Sequence, residues 1–162
     1  MEILIIVILL IALFPFWVVS TRRRLTVMNE NVESAINQIG VQLSSRYDML
    51  AAALNQAKDY DVRTACNLIA KVNFHRCVIT SVSTTGEVME QEKMIQSVLE
   101  ELEKMVRQHP EINENKDYSK FMEAVDSYGR MLQTSTLIYN DSVTKFNRAI
   151  CMMLSLIHIS EP

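Results

Sequence analysis

Glycine and proline are scarce in this chain of 162 residues, which contains only 3 of each. Because β-sandwiches need many turns and nucleotide-binding loops need glycine, this composition argues against both kinds of fold. Basic charge is not in excess either, since 16 lysines and arginines stand against 19 aspartates and glutamates. A nucleic-acid partner is therefore not expected, and long amphipathic helices are the structure that the composition favours.

Residues that carry chemistry are few and scattered. No two of the three cysteines are close enough for a zinc or redox motif, and no two of the three histidines are one helical turn apart. Cys66 and Cys77 are eleven residues apart on one predicted helix face, and we expect both to be small buried residues. There is also no glycine-rich phosphate loop and no G-x-S-x-G elbow. The sequence therefore predicts no cofactor, no metal site and no enzymatic activity.

One long apolar run is present, at the N-terminus. Residues 3–19 carry no charged side chain and would form about 25 Å of helix, at the short end of what spans a bilayer core. Trp17 and then Arg22, Arg23 and Arg24 follow, as an aromatic and a cationic anchor at one membrane interface. We predict a single transmembrane helix over residues 1–21, with the lipid bilayer as a partner.

A cleaved signal peptide is the competing interpretation of this run. Signal peptides begin with positive charge, but only Met1 and Glu2 precede the apolar stretch, and the arginines lie on its other side. By the positive-inside rule, the N-terminus then lies outside and residues 22–153 form a cytoplasmic domain. The expected location is the bacterial inner membrane, crossed once.

Apolar residues recur every three or four positions through the rest of the chain, which is the period of amphipathic helices. The pattern predicts one helix from Arg22 to Asp59, a second beginning at Asp61 and reaching Ile79, a third capped by Thr84 and Glu87, and a last one over 118–153. His109 and Pro110 should end the third helix, and residues 111–117 should be a polar connector. We predict an all-α fold, an elongated antiparallel bundle of three to four long helices.

Two segments of the chain form a distinctive combination of motifs. One is IGVQLSSRYDML over 39–50; the other combines the His109-Pro110 turn with IYNDSV over 138–143 and the later Phe146-Asn147 pair. Together they resemble the LemA family of bacterial membrane-anchored proteins. The resemblance implies an N-terminal membrane helix, a cytoplasmic bundle of long antiparallel helices and no established catalytic activity. Some relatives are linked to the shaping of specialised bacterial membranes.

The chain departs from the family pattern at two places. Ala51 stands where members usually carry a proline, which predicts a straighter first helix. Residues 154–162 replace the usual longer tail and resemble frame-shifted text, so we treat them as a doubtful, artefactual tail and derive no function from them.

The family motif residues are interpreted as structural. They are Gln42, Leu43, Arg46, Tyr47, Asp48, Pro110, Tyr139, Asn140 and Asn147. Arg46 borders an apolar face, so we expect it to pair with a carboxylate or carbonyl of a neighbouring helix and fix the register, although an anion-binding pocket is an alternative. Asn140 and Asn147 favour interhelical hydrogen bonds over a partner-docking ridge.

Two functions remain open from the sequence. The first is a non-catalytic structural or interaction module that recruits an unknown protein or a second copy at the membrane. The alternative is a small-ligand sensor or enzyme with a site between helices near Gln42, Arg46 and Tyr139.

Overall fold

Helices joined by short connectors make up the part of the chain that its computed structural model describes, which is the backbone of residues 2–158 and the side chains of residues 13, 15–153 and 155. No strand occurs among these residues, so the predicted all-α class is confirmed. The helices are α1 (Glu2–Ala57), α2 (Val62–His75), α3 (Thr85–Gln108), a short 3-10 helix (Pro110–Glu114) and α4 (Lys116–His158).

Side-chain caps set the starts of α2 and α3, as predicted. Asp61 Oδ1 accepts a hydrogen bond from the Thr64 backbone N–H at 3.1 Å, and hydrogen bonds from Thr64 lower the pKa of Asp61. Thr84 and Glu87 form a reciprocal capping box, in which each side chain accepts from the other's backbone N–H. The local sequence therefore determines where both helices begin.

The connector between α2 and α3 is longer than predicted. α2 ends at His75 instead of reaching Ile79, and Arg76 adopts extended backbone geometry. Cys77 consequently lies in the connector and is exposed, and Cys66 lies on the outward face of α2 and is exposed too. The predicted burial of both cysteines was wrong, because it assumed that one helix carried them on its inner face.

The segment after α3 also differs from the prediction. α3 ends at Gln108, as the histidine-proline pair predicts, but Pro110 then starts a 3-10 helix. Ile112 in that helix is fully buried. Residues 111–117 are thus a packed corner that contributes to the core, and only part of the segment is a polar connector.

The chain forms two compact units. The central unit is Ala35–Leu137, and the terminal unit combines Met1–Ser34 with Ile138–Pro162. These limits rest on contacts, whereas the predicted boundaries after residues 21 and 153 were drawn between an expected membrane anchor, a cytoplasmic domain and a doubtful tail. α1 and α4 each contribute one segment to each unit.

The central unit packs its helices around an apolar core. Between α1 and the connector, Asp48 pairs with Arg76 and Gly40 lies against Ile79, so the connector runs antiparallel to α1. Between α2 and α3, Lys71 pairs with Glu101 and Gln91 donates a hydrogen bond to the backbone oxygen of His75, so these two helices run antiparallel. The largest side chains of the core include Leu43, Tyr47, Leu50, Leu54, Leu68, Ile95, Leu102, Met105, Ile112 and Leu132.

The terminal unit has no buried side chain among its described residues. Its α1 and α4 segments only half-bury the predicted stripe residues, among them Leu25, Met28, Val143 and Ile150. A search of the described residues finds no helix apolar enough over a sufficient length to cross a membrane. Most side chains of the predicted transmembrane run lie outside the described residues, as do the end of the doubtful tail and residue 1.

Candidate functional site

A cavity of about 440 Å³ lies where the end of α2, the Arg76–Thr84 connector and the start of α3 meet. This volume is within the usual range for small-ligand pockets, ~300–1,000 Å³. Its lining is mixed, and includes apolar, acidic and amide side chains: Phe74, Cys77, Val78, Glu90, Gln91 and Met94. The sequence pattern gave no sign of this cavity, because the connector that forms it was expected to be partly helical.

Gln91 is the buried polar residue of the cavity wall, with 5% of its surface exposed. Its Nε2 donates a hydrogen bond to the backbone oxygen of His75 at 3.0 Å, which holds the end of α2 against α3. Its Oε1 is buried and has no hydrogen-bond partner. A buried acceptor without a hydrogen bond lowers the stability of the fold by about 1–3 kcal/mol, and a donor from a ligand or partner would remove this cost.

Tyr47 connects this wall to α1. Its ring is buried in the core, and its hydroxyl donates a hydrogen bond to the backbone oxygen of Gln91 at 3.2 Å. Burial, and then the nearby Cys77 thiol, raise the pKa of Tyr47 to about 12, although Arg76 acts in the opposite direction. The hydroxyl therefore stays protonated at neutral pH and serves as a donor.

Arg46 differs from its prediction. It makes no ion pair among the described residues, and its Nε is buried without a hydrogen-bond partner. The guanidinium lies against Gly129 of α4, where a Cβ would approach Cζ to 3.2 Å. Among the described residues, the expected pairing of Arg46 with a carboxylate or carbonyl of a neighbouring helix does not occur, and Gly129 instead leaves room for the flat guanidinium to pack on the helix backbone.

Gln42 lies one turn before Arg46 and is also half-buried. Its Oε1 is buried and has no partner. A buried acceptor and a buried donor therefore lie on the same face of α1, one helical turn apart. Tyr139, the third residue of the predicted ligand site, belongs to the terminal unit and is half-buried there.

The ion pair of this region instead involves Asp48, whose Oδ1 lies 2.6 Å from Arg76 Nη1. Arg76 Nη2 also donates to Ser44 Oγ at 2.7 Å. Both charged side chains are partly exposed, so the pair adds ~1 kcal/mol or less. Its structural effect is to hold the start of the connector on α1.

The asparagines of α4 do not make the predicted interhelical hydrogen bonds. Asn140 and Asn147 are exposed, and no hydrogen bond in the described part of the chain uses either side chain. Only the Asn140 backbone oxygen is engaged, as the acceptor for Thr144 Oγ1. Pro110 is exposed as the first residue of the 3-10 helix, which its fixed φ suits.

The predicted interface residues lie in the terminal unit. Arg22, Arg23 and Arg24 are exposed, and Trp17 is 48% exposed. Trp17 and Arg24 line a shallow cavity of about 210 Å³ with Leu25, Ala149 and Met152. Aromatic, cationic and apolar side chains thus share one surface of this unit.

Sequence reasoning missed Gln91 although a signal for it was present. Val88, Ile95, Val98, Leu102 and Met105 are the buried stripe of α3, and Gln91 falls on the same face. A polar residue inside an apolar stripe indicates a specific partner, here the end of α2. Within the described residues, no cluster of histidine, cysteine or carboxylate side chains has the geometry to hold a metal ion.

Comparison with known proteins gives a family but no nearer relative. No curated protein and no solved structure matches the chain. The model of the LemA family matches residues 35–159, which takes in the whole central unit and also residues 154–159 of the segment that was expected to fall outside the family pattern. The resemblance of the 39–50 and 138–147 motifs is therefore confirmed, and the chain belongs to the LemA family.

Proposed function

We propose that this protein is a membrane-anchored, non-catalytic helical module that binds another protein at the inner face of the bacterial cytoplasmic membrane. The observation that carries the proposal is the exposed apolar surface of the terminal unit, where Phe16 is 74% exposed and Val19 and Val27 are about half exposed. These residues flank the exposed Arg22–Arg24 cluster. Apolar side chains beside arginines suit an interface between lipid tails and anionic head groups.

The sequence before this cluster supports the same proposal. Residues 3–19 lack charge, and a central lysine in such a run opposes membrane insertion by about 2.5–3.5 kcal/mol. We expect Leu10→Lys combined with Ile11→Lys to move the protein from the carbonate-resistant membrane fraction to the soluble fraction. Lysine at the exposed Val41 and Val62 of the central unit is the matched control and should leave it in the membrane.

The exposed cysteines provide a test of orientation. Cys66 and Cys77 are accessible in the folded protein, so a maleimide reagent can report on which side of the membrane they lie. With the central unit in the cytoplasm, a membrane-impermeant maleimide labels them only after cells are permeabilised. Labelling in intact cells would reject this orientation.

Protein binding is supported by a second exposed surface, in the central unit. Phe74 and Val78 are each 84% exposed, and Val82 is 89% exposed. Such a group of large apolar side chains near a cavity is typical of an interaction site. Photo-crosslinking from these positions in cells should therefore yield discrete protein adducts. Absence of adducts from any exposed surface of the chain would count against the interaction module.

A second candidate function is a ligand sensor or enzyme built around Arg46. Its support is the buried pair of unpartnered atoms, Gln42 Oε1 and Arg46 Nε. If Arg46 Nε–H donates to a bound hydrogenphosphate whose P–OH donates to Gln42 Oε1, millimolar phosphate should raise the melting temperature of the full chain. Arg46→Ala should then abolish that rise while leaving the melting temperature without phosphate unchanged. A lowered melting temperature and no phosphate effect would assign Arg46 to helix packing alone.

A further inference from the structure

The surface around the α2–α3 connector combines three features. The cavity between α2, the connector and α3 is the first. The second is a set of highly exposed apolar side chains: Phe74 and Val78, which line the cavity, and Val82, which lies in the connector. The third is a pair of carboxylates, Glu87 and Glu90, in the lining.

Charge distinguishes this cavity from an ordinary apolar groove. No ion pair among the described residues neutralises Glu87 or Glu90. One Glu87 oxygen is used by the capping box, whereas Glu90 is exposed and has no hydrogen bond in the described part of the chain. The cavity therefore presents negative charge beside apolar side chains, and a bound group should be cationic with apolar neighbours.

Gln91 provides an independent indication of a bound group. It lines the same cavity, is 95% buried, and has an acceptor oxygen without a donor. A guanidinium or ammonium group supplies several N–H donors and no acceptor. Such a group would face the Glu90 carboxylate in the cavity, and it would reach Gln91 Oε1, which is closed to solvent, once the Gln91 side chain turns toward the cavity.

We propose that this cavity, called here the connector cavity, binds a lysine or arginine side chain of a partner protein, with the apolar neighbours of that residue packed on Phe74, Val78 and Val82. The inference rests on the proposed interaction function and adds the site and the partner's chemistry. An exposed apolar margin favours a polypeptide segment over a small molecule, since a molecule held inside the cavity would leave that margin uncovered. The carboxylates disfavour an anionic lipid surface.

The test uses the full chain in detergent micelles, labelled with ¹³C at the methionine methyl groups. Met94 lines the connector cavity, and Met131 on α4 is the internal control. The probes are N-acetyl-Leu-Arg-Leu-amide and its counterpart with glutamate in place of arginine. We expect the arginine peptide to shift the Met94 signal saturably without shifting Met131, and the glutamate peptide to shift neither.

A matched pair of variants checks the role of charge. Glu90→Gln removes a carboxylate from the cavity lining, whereas Glu92→Gln removes one from an exposed position outside it. Because a partly exposed ion pair contributes ~1 kcal/mol or less, we expect Glu90→Gln to weaken binding of the arginine peptide up to about fivefold and Glu92→Gln to leave it unchanged. Equal binding of both peptides, or equal effects of both variants, would overturn the proposal.

Two further measurements separate the alternatives. Broadening of the Met94 signal by spin-labelled lipid in nanodiscs would show that the surface faces the bilayer, and would reject a protein occupant. In cells, photo-crosslinking from Val78 is compared with crosslinking from Val62, which is exposed at the other end of α2. Adducts from Val62 but not from Val78 would reject the connector cavity as the site and leave the interaction function intact. Adducts from Val78 that map to a segment with lysine or arginine among apolar residues support both.

Discussion

The central and terminal units are built partly from the same two helices, yet they bury their apolar residues very differently. Every buried side chain in the described part of the chain lies between Ala35 and Ser135. In the terminal unit the same spacing of apolar residues leaves them half-buried or exposed. Amphipathic periodicity thus predicts which face of a helix is apolar, but it does not say whether anything covers that face.

The number of helices in each unit explains the difference. In the central unit, α2, α3 and the 3-10 helix join α1 and α4, so an apolar stripe meets neighbours on several sides. Two helix segments alone, as in the terminal unit, leave the flanks of each stripe open. Exposed apolar surface beside Arg22–Arg24 is what a membrane-proximal unit would need, and this is why the comparison bears on function.

A pair of valine substitutions tests the difference in burial directly. Val98 is fully buried in the central unit, and Val27 is 54% exposed in the terminal unit. Losing two buried methyl groups and leaving a cavity should lower the free energy of unfolding by about 2–3 kcal/mol for Val98→Ala. Val27→Ala should change it by less than ~0.5 kcal/mol. Guanidinium unfolding of the full chain, followed by circular dichroism, measures both, and equal effects would refute the contrast between the units.

High pH should act on the central unit through Tyr47. Because its pKa is raised to about 12, above the value of 10.0 in the unfolded chain, the unfolded state loses the proton first. The free energy of unfolding should therefore be intact below pH 10 and fall by about 1.4 kcal/mol for each pH unit between 10 and 12. Tyr47→Phe should flatten this decline, as measured by unfolding at pH 9, 10 and 11. A variant that declines as steeply as the wild type would exclude Tyr47 as the cause.

Alanine substitutions at two glycines test how closely neighbouring segments of the central unit pack. A Cβ at Gly40 would overlap the backbone oxygen of Ile79, whereas one at Gly129 would meet only the mobile end of Arg46. Within a helix, replacing glycine with alanine also stabilises the helical conformation by about 1 kcal/mol. We expect Gly40→Ala to lower the free energy of unfolding by about 1 kcal/mol net, and Gly129→Ala to leave it unchanged or raise it. Thermal unfolding should separate them, and a stabilising Gly40→Ala would mean that the connector does not press on α1.

Much of the fold was predictable because its signals are local. The caps at Asp61 and Thr84 and the break at His109-Pro110 each depend on residues within one helical turn, and all three predictions were confirmed. The motifs over 39–50 and 138–147 likewise predicted the family that the 35–159 match confirms. The candidate site was less predictable. Arg46 packs on a glycine 83 positions away in the chain, and Gln91 donates a hydrogen bond to the backbone oxygen of His75 at the end of α2. Local periodicity cannot predict either partner, because each lies on a different helix.

By itself, the sequence determined that this protein is helical, where three of its helices begin or end, and that its N-terminal run is apolar and followed by arginines, because these properties depend on spacing and composition alone. Only the tertiary structure decided that Cys66 and Cys77 are exposed, that Arg46 lies against Gly129, and that a cavity opens beside the connector. Each of these depends on which helix meets which face, and that is settled by contacts between residues far apart in the chain.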